Sequence, residues 1–205
     1  MLHYETVDAA TLDLLKKIMA LPLFAPLRLV GGTAMALQTG HRKSVDLDFF
    51  GALLLEDIEL AETISSVGSV TWLNKSKNIK SLLVNGIKVD FVNYSYPWLA
   101  ELLPEDGIRL ASKKDIAAMK LAAITGRGAK KDFTDLYFLL KEFSLATLLK
   151  FYEQKYADGS IFMVLKSLIY FEDAENEEMP EMLTAAPWEL VKKNIIAHHK
   201  NFFNE

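Results

Sequence analysis

The sequence predicts an α+β fold, a mixed sheet flanked by helices followed by a helical C-terminal half. Three observations predict it. Strand-like and helix-like stretches are mixed over about the first 107 residues. "VDLDFF" (45–50) and "IKVDFVNY" (87–94) alternate polar and apolar residues, the signature of half-buried strands. Beyond Pro104 and Gly107 apolar residues recur at helical spacing alone. The chain therefore divides into an α/β core at 1–107 and a helical region at 108–205 that packs on it.

The elements follow in order. Residues 8–19 read as a helix that Pro22 and Pro26 end. "LRLV" (27–30) is a short apolar strand, Gly31-Gly32 a turn, and "TAMALQ" (33–38) a helix stopped by Gly40. The 45–50 strand puts Asp46 and Asp48 on one face and sends Val45, Leu47 and Phe49 to the core. A helix is expected over 55–66. Three strands follow, in "VGSVTWLN", "IKSLLVN" and "IKVDFVNY", with Asn85-Gly86 a hairpin signal between the last two. Ser112 with Asp115 opens a helix in the manner of a capping box, and Gly126 and Gly128 stop it. Further helices are expected at 132–142, 145–156, 160–170 and 187–200, with Asp132 as an N-cap. "FEDAENEEMPE" (171–181) reads as a solvated loop.

Composition excludes several classes. The 205 residues are 51% hydrophobic and 24% charged, as in globular proteins. No apolar run is long enough to cross a bilayer, and the N-terminus lacks a signal-peptide pattern. Without cysteine there is no disulfide framework and no thiolate zinc site. The expectation is a cytoplasmic protein without membrane partners. A net charge of −4 excludes a uniformly basic nucleic-acid binder, yet "SKKD" (112–115) and "RGAKKD" (127–132) form local basic patches.

The acids carry the chemistry. Asp46 and Asp48 side by side on an apolar strand repel each other, and a divalent cation relieves that. Asp90 shares its strand face with Lys88 and Val92. If the two strands are neighbours, three carboxylates converge as a site for two metals and phosphoryl or nucleotidyl transfer. The bland alternative is three solvated sheet residues. Gly31-Gly32 before a helix lets backbone N–H groups and a positive dipole end meet a phosphate.

Five further side chains have two readings each. Lys120 interrupts the apolar stripe of Ile116, Ala123 and Ile124, so it either snorkels to water or sits in a pocket with an anionic partner. Asp135, on a helix apolar almost all round, must be paired or near the surface. Arg42 suits bidentate phosphate contact or is a loop arginine. His41 is structural or a ligand, and Ser44 caps or orients the Asp46 strand. Two groups are also open. Arg127, Lys130 and Lys131 hold an acceptor's backbone or are solvated, and Tyr94, Tyr96 and Trp98 stack a base or pack in the core.

"VGGTAMALQTGHRKSVDLDFF" resembles the first motif of the DNA-polymerase-β-like nucleotidyltransferase superfamily: Gly-Gly, a spacer, then Asp-hydrophobic-Asp. Its details are similar to the AbiEii/AbiGii-type toxin family, with "GGTALAL", "HR", "S" and "DLDFF". The resemblance continues through the Asp90 strand, "DIAAMKLAAITGRGAKKDFTDLYFLL" and the tryptophan helix near the end, nearly the whole chain. It implies metal binding by Asp46 and Asp48, which Asp90 joins if its strand is a neighbour, and a site completed by Lys120 on nucleotide phosphate with Asp135 in support. Gly31, Gly32, Thr33, Arg42 and Lys120 would then bind the nucleotide.

The function implied is a Mg²⁺-dependent nucleotidyltransferase, with two ions and an NTP as substrate. It would act as the toxin of a toxin–antitoxin or phage-defence system. The expected acceptor is RNA, tRNA first, and the expected partner a cognate antitoxin, often a DNA-binding protein. The rivals are a small-molecule, antibiotic-type nucleotidyltransferase and a non-catalytic nucleotide-binding module.

Overall fold

The computed structural model describes residues 1–54 and 56–204. Helix α1 (Ala9–Ala20) is capped by Asp8, which accepts from Thr11 N at 2.8 Å and from its hydroxyl at 2.9 Å. Strand β1 (Arg28–Val30) runs straight into α2 (Gly31–Thr39), so the glycine pair is the first turn of the helix and not a separate turn. Gly40, at φ 68°, caps α2 in the left-handed conformation that only glycine adopts cheaply.

Strand β2 is Leu47–Gly51, shorter than expected. Val45 therefore lies outside it and is 58% exposed, a correction to its predicted core position. Of the helix expected over 55–66, Leu55 lies outside the described residues, and α3 spans Asp57–Ser65. Strands β3 (Val70–Lys75), β4 (Ile79–Val84) and β5 (Ile87–Asn93) follow. Asn85 (φ 52°) and Gly86 (φ 83°) make the predicted turn between the last two. Strands β6 (Leu103–Glu105) and β7 (Ile108–Leu110) form a further hairpin around Asp106-Gly107, which the sequence reading missed.

The seven strands make one sheet in the order β3-β4-β5-β2-β1-β7-β6. It is mixed: β2 pairs with β5 and β1 with β7 in parallel, the other neighbours antiparallel. Strand β7 lies just past residue 107, so the sheet reaches three residues into the predicted helical region. One face carries Leu47, Phe49, Val89 and Phe91, all buried, with Phe24 stacked on Phe91 at 4.7 Å. The opposite face carries Asp48 and Asp90.

The second half is α4 (Lys113–Gly126), α5 (Lys130–Leu139), α6 (Leu145–Lys155), α7 (Ile161–Ser167), α8 (Glu172–Glu175) and α9 (Trp188–Phe202). Ser112 caps α4, and its hydroxyl also donates to Asp115 Oδ2 at 2.6 Å. Asp115 Oδ1 accepts from Lys155 Nζ and from Leu99 N, both at 2.8 Å. This pair is fully buried and bolts α6 to the start of α4. Helix α5 begins at Lys130, because Glu177 Oε2 accepts from Lys130 N at 2.7 Å. Part of the acidic stretch is thus a cap, not a solvated loop. Among the described residues no helix is long and apolar enough to cross a membrane.

Candidate active site

Strands β2 and β5 are parallel neighbours in a register that pairs Asp48 with Asp90. Residues opposite each other in a sheet project from the same face, so the two carboxylates lie side by side. Asp46 precedes β2, and its backbone is held by Thr33, whose hydroxyl donates to the Asp46 carbonyl. Thr33 is fully buried, and Ser44 Oγ lies 2.9 Å from its hydroxyl. The Thr33 side chain therefore fixes the approach to β2 instead of facing the cleft.

Gly31 packs directly on Asp48. It has φ 68°, and a Cβ there would lie 2.2 Å from Asp48 Oδ2. A Cβ on Gly32 would lie 2.4 Å from an Arg42 Nη. A Cβ at either position would displace the Asp48 or Arg42 side chain that it meets. No side chain caps the start of α2, so its first N–H groups face the cleft uncapped.

The helical half supplies the opposite wall. Lys120 is 4% exposed and its Nζ sits 2.9 Å from Asp132 and 2.6 Å from Asp135. The pocket reading of Lys120 holds over snorkelling. Asp132 is not the N-cap predicted for it: α5 is entered through Ala129, and Asp132 is buried in the third helical position. Arg127 donates to Asp132 Oδ2 at 2.8 Å and to Oδ1 at 3.1 Å. Arg42 is buried, with Nε 2.6 Å and Nη2 2.9 Å from the two oxygens of Asp135. Its guanidinium, expected to be free for phosphate, is bound to Asp135 in a bidentate pair. His41 Nε2 lies 2.8 Å from Asp135 Oδ1, and His41 is fully buried.

The electrostatics separate the two walls. Burial, then the neighbouring Asp90 and Asp46, push the Asp48 carboxyl up to about 6. Burial also favours a neutral Asp135, but Lys120 and Arg42 overcome it and hold its carboxyl well below the usual carboxylate range. Asp132 is lowered in the same way, against burial, by Lys120 and Arg127. Burial pulls His41 below the ordinary imidazole value despite its contact with Asp135. Lys120, Arg42 and Arg127 against Asp132 and Asp135 leave an excess positive charge facing the carboxylates of the sheet.

Two adjoining cavities occupy the cleft. A polar one of about 110 Å³ is lined by Gly31, Gly32, Arg42, Asp46, Asp48, Asp90 and Lys120, with Ser44, Lys88, Arg127 and Lys131. A larger one of about 400 Å³ shares Gly31, Asp48, Asp90, Lys120 and Arg127, and adds apolar walls from Phe50, Ile79, Val92, Ile116, Met119 and Ala123. Most sequence-predicted site residues therefore meet. Thr33 and Asp135 do not line the cleft; they brace residues that do. Sequence reasoning missed Asp132 as a partner of Lys120, and it missed the apolar arm. Of the aromatics, Tyr94 is buried, its hydroxyl 2.9 Å from that of Tyr156, which reaches the larger cavity.

Asp90 Oδ1 is buried and has no hydrogen-bond partner. Asp90 Oδ2 accepts from Lys88 Nζ at 2.8 Å, and Lys131 Nζ lies 3.7 Å from Asp46 Oδ2. Among the described residues no three His, Cys, Asp or Glu side chains form a ready-made metal cage. An oxygen donor set with one orphaned buried oxygen still suits a hard divalent cation.

The chain is 39% identical over 173 residues to an uncharacterized protein of Aquifex aeolicus (strain VF5), covering 80% of this chain and 83% of that one. JHP933 from Helicobacter pylori has a similar fold, with TM-score 0.52 and 18% identity, over 97% of this chain and 95% of that one. So does MenT4, a nucleotidyltransferase toxin from Mycobacterium tuberculosis H37Rv, with TM-score 0.56 and 17% identity, over 95% and 86%. A family model described as the nucleotidyl transferase AbiEii toxin of type IV toxin–antitoxin systems matches residues 13–202. With nearly its whole length matched, the chain belongs to the AbiEii nucleotidyltransferase toxin family.

Proposed function

We propose that this nucleotidyltransferase toxin moves NMP from an NTP to an acceptor hydroxyl on RNA, tRNA first, with Mg²⁺. One observation carries the reading: Asp48 and Asp90 are register partners on β2 and β5, across a cleft from the cationic Lys120 and Arg127. Asp46, Asp48 and Asp90 would hold the metal, and Lys88 and Lys131 would have to give way to it. When bound, Mg²⁺ (two ions in this reading) neutralises triphosphate charge and makes the acceptor hydroxyl more acidic.

The chain's own groups do the rest. The backbone N–H groups of Gly31 to Thr33 and the ammonium of Lys120 hold phosphate. Arg42 and Asp135 position Lys120 from behind. The apolar arm takes the base and ribose and excludes water there. The acceptor oxygen bonds to the α-phosphorus as the bond to the bridging oxygen breaks, and pyrophosphate leaves with that electron pair. In this reading Asp90 Oδ1, which has no hydrogen-bond partner, receives the acceptor's proton. In this reading the sheet core runs on through β7 to Leu110, and the helical region after it completes the site with Lys120 and Arg127.

RNA is favoured over a small polycationic acceptor because Arg127, Lys131 and Lys88 make the polar end of the cleft basic. Family membership implies a cognate antitoxin, here read as a DNA-binding protein. The test is incubation with each labelled NTP, Mg²⁺ and total RNA. Label should enter RNA, and Asp48→Ala should abolish it. NTP binding without transfer to RNA, protein or small molecules would sink the reading in favour of a non-catalytic module.

A further inference from the structure

Lys88 takes no part in the bond changes described, yet it sits on the reacting groups. Its Nζ is 2.8 Å from Asp90 Oδ2, and it shares the polar cavity with Asp46 and Asp48. Its side chain is 44% exposed, whereas Lys120 is buried between two carboxylates. Lys88 is thus a surface cation held by one contact, on the cleft side of β5.

That contact competes with a metal. A divalent cation bound by Asp48 and Asp90 would stand within a few ångströms of the ammonium, and two cations that close repel strongly in a half-buried cleft. The ammonium must leave Asp90 as the metal arrives. A lysine stem is long and freely rotating, so Nζ can leave Asp90 without leaving the cleft. In a cleft of carboxylates now held by metal, the available anion is the triphosphate.

We propose that Lys88 is a resident counter-ion that makes metal and nucleotide binding depend on each other. It holds Asp90 while the site is free and raises the concentration at which metal enters. A nucleotide gives the displaced ammonium a phosphate to bind, so each ligand favours the other. The coupling is reciprocal by necessity. The proposal rests on the nucleotide reading for the identity of the anion, but not on turnover.

Lys88→Met keeps the stem and removes the charge, at an exposed position where the fold should tolerate it. Calorimetry on the full chain would measure Mn²⁺ alone, each NTP alone, and each NTP with Mn²⁺ present. The variant should bind Mn²⁺ alone about fivefold or more tighter and NTP more weakly. The factor by which Mn²⁺ tightens NTP binding should shrink about fivefold, leaving only the direct attraction between metal and triphosphate. Lys88→Arg, which keeps the charge, should keep most of the coupling. Unchanged or weaker Mn²⁺ binding by Lys88→Met, with an unchanged melting curve, overturns the proposal, as does an unchanged coupling factor. Failure of the reaction reading shows elsewhere, as the absence of label transfer by the unaltered chain.

Discussion

Asp48 is withdrawn from water and crowded by Asp90 and Asp46, and its carboxyl is pushed up to about 6. A folded-state pKa above the unfolded value near 3.8 means that folding favours the protonated acid. The stabilising contribution is complete below about 3.8 and is lost as pH rises through about 6. Without metal, Asp48→Asn should therefore stabilise the protein at pH 7.5 by about 1–2 kcal/mol, and the gain should vanish by pH 4. Melting curves across pH test this, and equal melting temperatures at pH 7.5 would reject it. The same substitution should abolish transfer. Metal affinity should fall as pH falls through about 6, because the proton and the cation compete for one carboxylate. Gly31 shows the other side of this crowding, since its missing Cβ is what lets Asp48 sit against the start of α2.

At the scale of elements, helix ends and buried pairs decide where functional side chains go. The periodicities of α1, α2, β5, α4 and α6 were legible because each rests on local spacing and local caps such as Asp8, Gly40 and Ser112. Asp106-Gly107 is the same kind of signal as Asn85-Gly86, but the strands it joins have three residues each, too few for a period of two to declare itself. The start of α5 was not legible at all. It depends on Glu177, far along the chain, and it moves Asp132 from a cap to a buried partner of Lys120. The Asp115–Lys155 pair is likewise long-range. Lys155→Met leaves Asp115 buried without its cation and should cost about 3 kcal/mol in urea unfolding with an unchanged slope. A loss under about 0.5 kcal/mol would show that Ser112 and Leu99 N satisfy Asp115 unaided. Lys120 falls under the same rule, so Lys120→Ala is expected to destabilise as well as to weaken nucleotide binding.

Across the whole molecule, negative net charge and a basic cleft end coexist. If the acceptor is RNA, its phosphates meet exposed Arg127, Lys131 and Lys88. Three such contacts give a slope of log affinity against log salt of about −2 for a single strand. Filter binding of RNA to Asp48→Asn from low to high salt would measure it. A slope near zero would show that these three side chains do not meet RNA phosphates.

The sequence by itself determined the fold class, the strand that carries Asp48, the strand that carries Asp90, and the helix that carries Lys120. These are properties of side-chain period and local turn chemistry, which neighbours in the chain are enough to define. Only the tertiary structure decided that β2 and β5 are adjacent and in register. It also decided that Arg42 braces Asp135 and that Lys120 lies between two aspartates. Those outcomes depend on which charges meet after residues tens of positions apart are packed together. Buried charges must take partners wherever the fold supplies them, and period and spacing do not encode that choice.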